Sequence, residues 1–159
     1  MKQKEKLKVK VHRTTEGTIF EVAFLVLAVI VWAIIIWQVS KAPNVIATHF
    51  DMNGHPNGYG SPWGLLFPCI MTTVVGACLL AAAYFPHTIN VPVEVNTPRQ
   101  YELLIRMTRI TALIMLLLTL VIPMTLLVFS SPQTWPVFSI IALMIAVIIY
   151  YCVQIHKAK

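Results

Sequence analysis

Charge is scarce in this chain. Only 11% of its 159 residues are charged, and Asp and Glu together number six. Soluble domains carry about a quarter charged residues and just under half apolar ones. Here 58% are hydrophobic and the mean hydropathy is +0.77. A water-soluble globule of this size leaves too much surface exposed to hide that much apolar side chain. A free-standing soluble enzyme is therefore excluded, and so is intrinsic disorder. Cysteine is scarce too: Cys69, Cys78 and Cys152 all fall inside apolar runs, with no C-x-x-C. That odd count argues against a disulfide framework or a zinc knuckle and reads as packing. There is no nucleophile elbow, H-E-x-x-H motif or phosphate loop, so neither an enzyme nor a cofactor is indicated. No ionisable residue falls at mid-depth in an apolar run, which counts against a proton or ion pump.

What is present is long apolar runs. A span needs about 20 apolar residues to cross about 30 Å of hydrocarbon. Four segments qualify, at about 19–39, 63–85, 98–129 and 132–153. They predict an all-α integral membrane protein, an antiparallel bundle of four transmembrane helices with a folded outer loop over 40–62. Residues 19–159 read as one membrane domain behind a basic tail, 1–18. The third helix is expected to start at Pro98 and to carry an extension beyond the membrane, because Thr97 and Gln100 form a capping box there. Ser61-Pro62 and Ser131-Pro132 are similar helix starts. Thr18 and Glu21 are expected to open helix one in the same way.

The few charges are placed unevenly. Lys2, Lys4, Lys6, Lys8, Lys10 and Arg13 precede the first span; Arg99, Arg106 and Arg109 follow the second; Lys157 and Lys159 follow the fourth. On the opposite side stands Lys41 alone. The positive-inside rule then puts both termini in the cytoplasm, implying a multi-pass protein of a bacterial cytoplasmic membrane. Trp37, Trp63 and Trp135 mark the outer interface, and Tyr84, Tyr150 and Tyr151 the inner one. A short basic arm beside a span suits the bilayer's anionic lipid rather than nucleic acid. Glu21, Arg106 and Arg109 approach the same cytoplasmic ends and are a candidate ion pair, against the reading that each is capped or snorkels on its own.

The outer loop holds most of the punctuation. Asn53-Gly54 and Asn57-Gly58 are tight-turn signals, and His49, Phe50, Asp51, Asn53, Gly54, His55, Pro56, Gly58 and Tyr59 are the candidate structural or recognition residues. Phe50, Tyr59 and Trp63 are expected to be buried in a lid over the ends of helices one and two. His49 is expected beneath it, and Asp51 is expected to accept backbone N–H groups. His49, Asp51 and His55 also have donors suited to zinc or another first-row metal. The competing reading is that they only brace the loop.

The order Pro43, Ile46, Thr48-His49-Phe50-Asp51, Gly54, Pro56, Gly58 and Gly60-Ser61 resembles a family of small bacterial membrane proteins, domain of unknown function sixteen forty-eight. That family also forms the N-terminal part of SdpI-type immunity proteins. Ala47, Tyr59 and Pro62 depart from its usual proline, tryptophan and lysine. The resemblance implies a non-enzymatic protein whose outer loop recognises a peptide toxin or a membrane partner subunit. Two other functions compete with it: a transporter or transporter subunit, and a metal-binding sensor using the loop histidines.

Overall fold

A computed structural model describes residues 11–51, 55–127 and 134–158. The tail lysines, the Asn53-Gly54 turn and the Ser131-Pro132 helix start lie outside the described residues. Helix α1 spans Thr15–Lys41, followed by strands β1 (Ile46–Phe50) and β2 (Pro56–Gly60). A 3-10 turn, Pro62–Leu65, leads into α2 (Leu66–Ala82); a second, Pro86–Thr88, precedes α3 (Pro98–Leu127) and α4 (Trp135–Lys157). All four helical segments are long and apolar enough to cross a membrane. The protein is an all-α, four-helix membrane protein with a small antiparallel hairpin between its first two spans.

Helix α1 opens earlier than the Thr18 signal implies. Thr14 is extended, and its hydroxyl accepts from Gly17 N at 3.0 Å. Thr18 turns its hydroxyl back to Thr14 O at 3.2 Å, so it cannot cap, and Glu21 lies free of any cap. Ser61 does cap the turn before α2, accepting from Trp63 N at 3.4 Å. The capping box of α3 is complete. Gln100 N donates to Thr97 Oγ1 at 3.3 Å, and Thr97 N donates to Gln100 Oε1 at 3.0 Å. Gln100 then does something its local sequence does not announce: its Nε2 donates to Ile155 O at 2.9 Å, tying the start of α3 to the end of α4.

Helix α3 is the hub and packs against each of the other three. In its most apolar stretch 44% of residues are buried, against 6% in that of α4, whose outer face is left for lipid. Its buried side includes Thr108, Thr111, Thr119 and Thr125. In hydrocarbon an unpaired polar group is expensive, so each hydroxyl must find an internal acceptor. They find one a turn back, donating to Leu104, Met107, Met115 and Ile122 carbonyls at 2.7–2.9 Å. Small residues then let the helices approach. Gly76 of α2 is buried where a methyl group would stand 3.0 Å from Phe24 and 3.3 Å from the Ala112 carbonyl. Trp32 Nε1 reaches Thr73 Oγ1 at 3.2 Å, and Thr72 meets Thr119 hydroxyl to hydroxyl at 2.8 Å.

Pro123 adds a specific debt to this helix. Proline has no N–H, so the carbonyl four residues earlier, that of Thr119, loses its helical partner. The Cys69 thiol, fully buried on α2, lies 3.7 Å from that carbonyl oxygen and donates to it. Cys69 thus does more than fill space. Cys69→Ala should destabilise the protein, and the penalty should be smaller by roughly 0.5–1 kcal/mol in a Pro123→Ala background, where the backbone N–H returns. A double-mutant cycle of unfolding in detergent measures this coupling; additive penalties would refute it.

Candidate functional site

The loop between α1 and α2 folds as a two-stranded sheet in which Ile46 pairs with Gly60, Ala47 with Tyr59, His49 with Gly58, and Phe50 with Pro56. The register slips on either side of His49, as β-bulges do. The Asn57-Gly58 pair is therefore not a turn. It lies inside β2, and Gly58 serves close approach: a methyl there would come within 2.9 Å of His49 Cβ. At the hairpin tip Asp51 Oδ1 accepts from His55 N at 2.8 Å, and Asp51 N donates to His55 O at 2.9 Å.

The side chains are not arranged as the sequence implies. The hairpin rests on α3 through β1, and among its described residues Ile46 is the buried one. Tyr59 is 66% and Trp63 53% exposed, so these aromatics face outward while Phe50 is half-buried. A two-stranded ribbon has too little area to cover large rings on both faces. His49 is exposed and pairs across the strands with Asn57 Oδ1, instead of lying under a lid. His55 Nδ1 stands 3.6 Å from Asp51 Oδ2. His49, Asp51 and His55 are not gathered into one ligand set: no group of three metal-binding side chains occurs among the described residues. Asn53 and Gly54 lie outside the described residues.

The opposite end of the bundle holds the charged groups. Arg106 takes both oxygens of Glu16, from Nε at 2.8 Å and Nη2 at 2.9 Å. Glu21 pairs instead with Arg13 Nη2 at 2.8 Å and accepts the Tyr84 hydroxyl. The candidate pairing of Glu21 with Arg106 or Arg109 is thus replaced, because α1 starts a turn earlier and brings Glu16 to Arg106. Arg109 lies among these groups, 5% exposed, with its Cζ 6.0 Å from the Tyr84 ring centre. Neither Glu16 nor Arg13 was singled out from sequence. The signal available for Glu16 was its acidic side chain in a first helical turn.

Residues 26–73 match the model of a protein family. It is the domain of unknown function DUF1648. The DUF1648 segment takes in the C-terminal half of α1, the whole hairpin, and α2 as far as Thr73. The charged cluster lies outside it. No curated protein and no solved structure matches the chain.

Two outcomes test this geometry. Gly58→Ala should accelerate amide hydrogen exchange across 46–60 at least about tenfold by loosening the hairpin, whereas unchanged exchange would show that the close approach is not needed. At the other end, the hydrogen bond to Glu21, then burial, hold the Tyr84 phenol above its ordinary titration range. A raised folded value favours the protonated form. Its contribution to stability is therefore complete below the unfolded pKa of about 10 and is lost as pH rises through the folded value. Ultraviolet titration should bring Tyr84 down towards ordinary tyrosines in Glu21→Gln; an unmoved titration would dismiss Glu21 as the cause.

Proposed function

We propose that this is a non-enzymatic membrane protein of the bacterial cytoplasmic membrane that recognises a secreted peptide through its hairpin, in the manner of an immunity protein. One observation carries the reading. The DUF1648 match falls on the hairpin and the helix segments that flank it in sequence, and that hairpin is folded yet leaves Tyr59, with Trp63 just beyond, exposed. Exposed aromatics on a rigid ribbon are suited to recognition, because they offer large contact area with little ordering entropy. The hairpin faces outward and both termini lie in the cytoplasm, since eleven of the twelve basic residues are on the terminal side. The basic tail there holds anionic lipid. A transporter would show a discontinuous helix or a polar lining at the midplane; the buried hydroxyls of α3 instead donate to its own backbone.

Topology is checked by cysteine labelling in a background lacking Cys69, Cys78 and Cys152. Asn57→Cys should react with a membrane-impermeant maleimide on intact cells, and Lys4→Cys only after permeabilisation. The reverse pattern would overturn the orientation. Recognition is checked by deleting the gene and exposing the cells to peptides secreted by the parent strain. Growth inhibition should rise several-fold, the wild-type gene should restore resistance, and Tyr59→Ala should restore it incompletely. Equal growth with and without the gene would rule out immunity.

A further inference from the structure

Arg109 is a buried guanidinium without a full set of partners. Its Nη2 has no hydrogen-bond acceptor among the described residues, although the residue is only 5% exposed. Arginine does not shed its proton, so burial cannot neutralise it. The nearby carboxylates do not satisfy it by hydrogen bonding. Both oxygens of Glu16 accept from Arg106, and those of Glu21 accept from Arg13 and Tyr84. Counting this group, Arg13, Arg106 and Arg109 face Glu16 and Glu21, which leaves one positive charge over.

That charge borders an opening. Arg109 lines a cleft of about 220 Å³ together with Arg106, Thr14, Val11 and Ile105. Glu16 and Glu102 line it as well, and both are held by arginines, Glu102 by Arg99 at 3.1 Å. One wall is the first turn of α1, where backbone N–H groups point out of the helix and favour an anion. The guanidinium is pressed against Gly17: a methyl there would stand 2.6 Å from Nη2. The other wall, from α3, sets Ile105 among Glu102, Arg106 and Arg109.

We propose that this cleft binds a singly charged phosphate group, with Arg109 as its buried anchor and Arg106 at its mouth. The ligand is a phosphate monoanion, supplied by the phosphodiester of a lipid headgroup or by free phosphate in its singly charged form. One surplus charge matches the single charge of a phosphodiester. Val11 and Ile105 give an attached glyceride an apolar surface, which favours the lipid. The site is separate from the hairpin, so its failure would leave the recognition reading untouched.

The full chain, purified in detergent, is titrated with dihexanoyl-phosphatidylglycerol, with dihexanoylglycerol, which lacks the phosphate, and with inorganic phosphate. Native mass spectrometry and thermal shift read the binding. Phosphatidylglycerol should bind saturably at one per chain and dihexanoylglycerol should not. Arg109→Gln should weaken binding at least about tenfold, while Lys157→Gln, removing the same charge elsewhere, should leave it within about twofold. Gly17→Ala keeps the charge but displaces the guanidinium, and should weaken binding too; it decides the matter if Arg109→Gln does not fold. Inorganic phosphate binding as tightly as the lipid would support the site and assign it to free phosphate. No saturable binding of either phosphate, or unchanged affinity in the folded Arg109 or Gly17 variant, would overturn the proposal.

Discussion

The hub of this structure answers to one constraint: within hydrocarbon, a polar group must be paired inside the protein. Helix α3 bears most of that burden, since it is packed on three sides and carries the buried threonines. Each hydroxyl donates to the helix's own backbone, and Thr119 also meets Thr72 of α2. Pro123 is the place where this local solution fails, and the repair comes from another helix, through Cys69. A thiol is a weak donor. It is also small and apolar enough to sit at zero exposure between α2 and α3.

The two ends of the bundle use their polar groups differently. At the hairpin end backbone pairing dominates, and side chains such as His49 and Asp51 brace the ribbon through Asn57 and the His55 backbone. Tyr59 and, just beyond, Trp63 are left exposed. At the terminal end the order is reversed. Side-chain charges from α1 and α3 interlock with Tyr84, just beyond α2, and the exposed pairs among them are worth little individually, about 0–1 kcal/mol. Their importance lies in how they divide the acceptors, since that division isolates Arg109.

At the terminal end too, the connector from α2 to α3 is structured by alternation. Ile89, Val91, Val93 and Val95 pack against Tyr101, Leu104 and Ile155, an apolar edge repeating every second residue. With Gln100 bonded to the Ile155 carbonyl, this anchors the least enclosed helix, α4, at the end that holds its buried residues, Cys152 and Ile155.

Local signals were legible in the sequence. Apolar run length determined four spans, because crossing the bilayer requires a minimum length whatever the neighbours are. The capping box at Thr97 and Gln100 was legible for the same reason: both partners lie within one turn. The DUF1648 pattern of Gly and Pro around the hairpin was legible as well, though not the role of each glycine. Asn57-Gly58 has the composition of a turn, and only strand pairing with His49 decided that it is a strand. The partners of Glu21, Arg106 and Arg109 were likewise settled by tertiary structure. One turn's difference in where α1 begins decides which carboxylate meets which guanidinium, and that start rests on Thr14 rather than Thr18. The repair of the Thr119 carbonyl by Cys69 joins residues 50 positions apart. No periodicity records such a contact, because it depends on how two helices are rotated and seated against each other.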